Sequence, residues 1–332
     1  MKKFFRMIIL SFVAIIITAC SNTQLQTEDT NDEQANTIDI YTTVYPLSYF
    51  AERIGGEYVN VSSIYPPGSN EHTFEPTQQD MMALAESDLF FYIGLGLEGF
   101  VENAKTTLAN EHVKFVSTAD NIPEEKLAVS AGHTFEEAIE EHEEHDHEEH
   151  EHEEHNHGDI DPHVWLSPIL SQDLALSIKN ELVEAMPENE AIFTENYELL
   201  IADLEAINKD FEDLVSEAQT KTFFVSHSSF GYIAGQYGLI QVPIAGLNSQ
   251  SEPSQKELIE IVDLAQELNV KYVLFEQNIS SNLTSIIQNE IGAESLTLHN
   301  LSVLTEQDIA QGETYLTLME NNIETFKKAL NP

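Results

Sequence analysis

Between Pro187 and Gln219 an apolar side chain recurs every three or four positions, at Phe193, Tyr197, Leu200, Leu204, Ile207, Phe211 and Leu214. That spacing draws one stripe down an α-helix. Pro187 suits a first helical position, and no Gly or Pro interrupts the 32 residues after it. Such a helix would rise roughly 45 Å. Its stripe must be covered, either by another copy in a coiled coil or by the chain on both sides of it. The flanking sequence favours the second arrangement.

On each side, short β-branched or aromatic runs alternate with helical patterns. Strands are expected at Ile38 to Val44, Tyr58 to Tyr65, Asp88 to Ile93 and Val113 to Ser117, and again at Thr222 to Ser226, Leu239 to Ile244, Lys271 to Glu276 and Ser295 to Leu298. Two blocks of this kind predict an α/β fold: two Rossmann-like lobes with mostly parallel sheets, joined by one long interlobe helix. The expected division is an N-terminal lobe over 38–186, the linking helix over 187–219 and a C-terminal lobe over 220–332.

The first nineteen residues read as a signal, with basic Lys2, Lys3 and Arg6 ahead of an apolar run from Met7 to Ala19. Thirteen helical residues rise only about 20 Å, short of a hydrocarbon core of about 30 Å. The run ends Ile17-Thr18-Ala19-Cys20, and Cys20 is the only cysteine of the chain, so no internal disulfide can form. This ending resembles a bacterial lipobox, which implies lipidation of Cys20 and an extracytoplasmic protein anchored to the membrane, on a Gram-positive cell. Residues 20–37 offer little to pack and read as a flexible tether.

Fourteen Lys and Arg against 58 Asp and Glu give a formal charge of −44. A surface of that sign attracts cations and makes nucleic acid a poor partner. Seven of the thirteen histidines, His142, His145, His147, His150, His152, His155 and His157, fall within sixteen residues among almost nothing but Glu and Asp. A long, mobile loop over about 123–159 is expected there, binding zinc, nickel or copper weakly. A segment that must be ordered on binding loses affinity, so a tight site is sought elsewhere. His72 in YPPGSNEHTFEPTQQD, His163 in DIDPHVWLSP and His227 in FFVSHSSFGYIAGQYG stand beside turns in ordered sequence. His72 and His227 lie past strand ends, where open α/β sheets gather ligands. His112 reads as surface, and His299 as near the crevice without partner ligands.

NEHTFEPTQQD, DPHVWLSP and SHSSFGYIAGQYGL, in this order and with an acidic histidine-rich insert before the second, resemble the zinc-specific solute-binding proteins of bacterial ABC importers, the ZnuA/AdcA type. The likeness extends over 38–332. It implies that His72, His163 and His227 hold a transported Zn(II) between the lobes, and that the ion passes to a permease driven by a cytoplasmic ATPase. It implies a binding protein and not an enzyme, working as a monomer. Many relatives carry an acidic fourth ligand in a segment like LHNLESLT. Here the segment is LHNLSVLT, so Ser302 stands at that place and the fourth position falls to water, Glu276 or Glu71. Because imidazole ligates only when unprotonated, binding is expected to weaken below about pH 6. The alternatives are a manganese receptor of the same group, a zinc-dependent hydrolase and a surface adhesin.

Overall fold

The structure is a computed structural model and describes residues 37–132, 160–278 and 282–332. Cys20 and the seven clustered histidines from His142 to His157 lie outside the described residues.

The chain opens with β1 (Ile38–Thr42), α1 (Tyr45–Gly55), β2 (Val59–Ser63), α2 (Gln78–Ala85), β3 (Leu89–Tyr92), α3 (Val101–Thr107) and β4 (Lys114–Ser117). The four strands form one parallel sheet in the order β2-β1-β3-β4. After the middle of the chain β5 (Thr222–Val225), β6 (Ile240–Pro243), β7 (Tyr272–Glu276) and β8 (Glu294–Leu298) repeat the plan as β6-β5-β7-β8, again all parallel. All eight expected strands are found, seven of them trimmed by a residue or two and the last extended by one to Glu294. The central strand Leu89–Tyr92 is buried throughout, as a sheet covered on both faces requires.

Between β4 and β5 come α4 (Glu124–Leu127), α5 (Pro168–Ala185) and α6 (Glu190–Glu217). The α6 helix has 28 residues, and a 3-10 turn over Pro187–Asn189 leads into it. Its stripe is buried at Phe193, Leu200, Leu204, Ile207, Phe211 and Leu214. Each such side chain contributes about 1.5–3 kcal/mol when fully buried. One end serves the first half, where Phe193 meets Tyr58 edge to face at 6.0 Å and Asn196 Nδ2 donates to the Ile54 carbonyl. The other end serves the second half. There Phe211 stacks on Tyr237 at 5.0 Å and meets Phe326 at 6.2 Å. The stripe is covered within the chain, as the intramolecular reading expected.

The second half adds α7 (Gly231–Tyr237), α8 (Gln255–Glu267), α9 (Asn282–Ile291), α10 (Glu306–Gln311) and α11 (Tyr315–Leu330). Reciprocal capping boxes start α2 at Thr77 and Asp80, and α8 at Ser254 and Glu257. No helix among the described residues is long and apolar enough to cross a membrane.

The expected loop over 123–159 is corrected at its start. Glu124–Leu127 is helical and a 3-10 turn follows over Ala128–Gly132. Leu127 is buried, and the turn lies so close on α7 that a Cβ at Gly235 would stand 1.9 Å from the Val129 carbonyl oxygen. Tertiary packing holds a stretch too short to show any helical period.

Candidate metal centre

His227 follows β5, and its partner can be read from the sheet register. Phe224 pairs with Val273 and Val225 with Leu274, so two residues further on His227 stands beside Glu276 at the carboxyl ends of both strands. The ring Nδ1 lies 2.6 Å from Glu276 Oε1, and Ser226 Oγ donates to the same oxygen at 3.0 Å. His163 is set locally. Asp161 Oδ1 accepts from the His163 backbone N–H at 2.9 Å and lies 2.8 Å from its ring Nδ1. Trp165 supports this ring edge to face, with centroids 5.3 Å apart. His72 sits in the turn after β2, where its N–H donates to Asn70 Oδ1 at 2.9 Å.

These three elements bring the imidazoles to one point. His163 Nε2 is 3.3 Å from His72 Nε2 and 3.3 Å from His227 Nε2, and ligand atoms of all three residues lie within 4.8 Å of one another. A tetrahedral ion with metal–nitrogen bonds of about 2.0–2.1 Å has nitrogen–nitrogen edges of ~3.3–3.4 Å, so the spacing matches zinc. Against a carboxylate, Nδ1 must carry the ring proton. Asp161 and Glu276 therefore leave the Nε2 lone pairs of His163 and His227 facing each other, an arrangement that a cation or a proton relieves.

The electrostatics differ around the cluster. Burial, then the neighbouring His163 and His227, push the pKa of His72 down to about 3. For His227 burial is the largest influence and opposes the charge, yet Glu276, Glu71 and Asp161 together hold its pKa above the ordinary value. Burial likewise raises Glu71. In Glu276 burial works the same way but is outweighed by His227 and Ser226, which hold the carboxyl below its usual range.

Of the residues considered for a fourth ligand, Glu276 is placed behind His227. Both its oxygens are engaged, the second accepting from Asn300 Nδ2 at 3.0 Å. Glu71 is buried with Oε1 3.9 Å from His72 Nε2, while Oε2 has no hydrogen-bond partner. Ser302 donates its hydroxyl to Asn300 Oδ1 and plays a packing role. His299 is turned away, with Nε2 3.2 Å from Asp308 Oδ2 and Nδ1 accepting from the Leu301 N–H. His112 is exposed beside Asp88. Sequence reading passed over Asp161, although an acid two residues before a histidine was the available signal.

His163 and His227 are fully buried, whereas His72 borders a cleft cavity of about 510 Å³ shared with Leu95, Gly96, Ile160, Pro162 and Asn248. Two parallel α/β lobes on one long helix, with three imidazoles converging between them, define the class of cleft-type metal-ion binding proteins.

The family described as zinc-uptake complex component A (ZnuA), periplasmic, matches residues 40–329, and the chain belongs to it. It is 33% identical over 329 residues to the high-affinity zinc uptake system protein ZnuA of Bacillus subtilis (strain 168), covering 99% of this chain and 98% of that one. It is 31% identical to the zinc-binding lipoprotein AdcA of Streptococcus pneumoniae, where 99% of this chain spans 61% of the relative. Among solved structures, the Zn(II)-bound ZnuA-like domain of S. pneumoniae AdcA superposes with a TM-score of 0.70 at 28% identity, covering 89% of this chain and all of that domain. The metal-dependent lipoprotein YcdH of B. subtilis gives 0.69 at 30% identity, covering 89% of this chain and 99% of that one.

Proposed function

We propose that this chain is an extracytoplasmic high-affinity zinc receptor that loads Zn(II) between its lobes and delivers it to an ABC permease driven by a cytoplasmic ATPase. The carrying observation is the convergence of three imidazoles from separate parts of the chain, with His163 Nε2 3.3 Å from the Nε2 atoms of both His72 and His227. His72 and His163 come from the first lobe, taken as 38–186, and His227 from the second, 220–332, with 187–219 between them. Parting the lobes withdraws one ligand of three, which gives a physical route for release.

His72, His163 and His227 are the metal ligands in this reading. Asp161 and Glu276 fix the two buried rings, and the fourth position goes to water or to Glu71 Oε2, the buried oxygen left without a partner. Cys20 carries the lipid that holds a monomeric receptor at the membrane, and His142 to His157 collect zinc near the cleft. Equilibrium dialysis with metal analysis tests the central claim. Protein lacking residues 136–158 is expected to retain one tight zinc that His72→Ala removes; no tight zinc in the shortened protein would reject the three-histidine site.

A further inference from the structure

Asn300, fully buried just after β8, connects the two lobes behind the imidazoles. An amide nitrogen has two protons, and here both face carboxylates. Nδ2 lies 3.1 Å from Glu71 Oε1 and 3.0 Å from Glu276 Oε2. Glu71 adjoins His72 in the first lobe, and Glu276 ends β7 in the second, where it accepts from His227.

The orientation of the amide is fixed by its other contacts. Oδ1 accepts from Gln277 Nε2 at 3.1 Å, from the Ser302 N–H at 3.1 Å and from Ser302 Oγ at 2.9 Å. The carbonyl accepts from Trp165 Nε1 at 2.7 Å. A flipped amide would set Oδ1 against two carboxylates and the NH2 group against donors, so one orientation is satisfied and the other is not. The following residues dock on the first lobe, where Tyr45 N–H donates to the Ser302 carbonyl at 2.8 Å and Gly68 N–H to that of Leu304 at 3.0 Å.

We infer that Asn300 is a positioning residue for zinc: its single amide holds one carboxylate from each lobe, setting the His227 ring through Glu276 and fixing Glu71 with Oε2 unpartnered. The inference rests on the zinc reading and adds to it. The bond from Asn300 to Glu71 runs from the second lobe to the first, so one side chain links the contact between the lobes to the carboxylates behind the ligand set.

Asn322 supplies the control, because it is buried and fastens the same strand end through the His299 backbone, 2.8 Å to its N–H and 2.7 Å to its carbonyl, with no bond to either carboxylate. In the full chain, Asn300→Ala and the near-isosteric Asn300→Asp are expected to weaken zinc binding roughly 10- to 100-fold. Both should also change the visible spectrum of bound Co(II). Asn322→Ala is expected to lower Tm and leave affinity and spectrum alone. In metal-free protein, adding Glu71→Gln to Asn300→Asp should restore part of the lost Tm, since the introduced amide can donate to the introduced carboxylate; Glu71→Gln alone should not raise Tm. Wild-type affinity and spectrum in Asn300→Asp, or no Tm recovery in the double variant, would overturn the inference. Tight zinc that survives His227→Ala in an otherwise unaltered chain would instead reject the zinc reading, and the metal-free comparison still judges the clamp.

Discussion

The two sheets share one plan, yet only one of them holds an imidazole at its centre. In each, the two central strands pair with the same offset, Thr42 to Phe91 and Val225 to Leu274, and a buried glutamate stands at their carboxyl ends. The residue after the first central strand donates a hydroxyl to that glutamate in both: Thr43 to Glu98 at 2.8 Å, Ser226 to Glu276 at 3.0 Å. The next residue differs. In the second sheet it is His227, which contacts Glu276; in the first it is the fully buried Val44. Glu98 accepts instead from the backbone N–H groups of Ile93 at 2.9 Å and Gly94 at 3.0 Å, holding a loop with positive φ at Gly94, Leu95 and Gly96 against the cleft. A buried carboxylate at the switch point is thus shared framework, and one side chain decides whether it orients an imidazole or a backbone loop.

The largest expected effect comes from removing that side chain. His227→Ala should weaken zinc binding by about three orders of magnitude in a chelator competition, since a buried ligand and the partner of Glu276 go together. At the counterpart position, Val44→Ala should cost about 1–3 kcal/mol of stability and leave affinity within about threefold. Equal losses of affinity in the two variants would mean that the sheets are not divided in role.

The glutamates should also differ in how stability follows pH. Burial pushes Glu98 up to about 7 from its ordinary 4.5 against the opposing hydrogen bonds, whereas Glu276 is held low by His227. Between about pH 4.5 and 7 the folded chain keeps a proton on Glu98 that the unfolded chain has released, so this group's contribution falls as pH rises through that window. The whole change is about 3 kcal/mol. Denaturant melts of metal-free wild type and Glu98→Gln across this range should diverge in slope by that amount; parallel curves would show that Glu98 is ionised throughout.

A smaller loss is expected from Glu276→Gln, which can no longer present a carboxylate to the His227 Nδ1–H. Zinc affinity should drop roughly 10- to 100-fold. Glu98→Gln, at a carboxyl held by Thr43, Ile93 and Gly94 and by no imidazole, should stay within about threefold of wild type at neutral pH. A result with the two reversed would make the Glu98 loop, not the Glu276 pairing, the support of the centre.

The sequence made some of this contrast legible and hid the rest. The strands stood out because β-branched and aromatic runs mark buried parallel strands, and α6 because Phe193 to Leu214 hold one helical phase. His72, His163 and His227 could be proposed because each breaks an ordered stretch beside a turn. What pairs with each histidine depends on strand register and lobe contact, which have no local pattern. Glu276 therefore read as a possible ligand and instead stands behind the His227 ring, and Asn300 drew no notice, although its amide reaches Glu71 across 229 positions of chain. The helix Glu124–Leu127 was hidden for a different reason, being one turn long and held by packing.

The finest prediction concerns protons at the centre itself. Reading the sequence, three ordinary imidazoles would begin to lose zinc below about pH 6, with up to three protons competing. The structure separates them. His72, pushed down to about 3, stays neutral and takes no part in competition at moderate pH. His227, held above 6.5 by Glu276 against its burial, is protonated well before His72. Zinc affinity should therefore start to fall above pH 6.5 and lose about tenfold per pH unit at first, the slope of one proton. Calorimetry in buffers of different ionisation enthalpy counts the protons released. A release that rises from near zero as pH falls through the region above 6.5 supports the assignment, while no release and no weakening until pH 5 would show that the Glu276 pairing does not hold the His227 ring above its ordinary range.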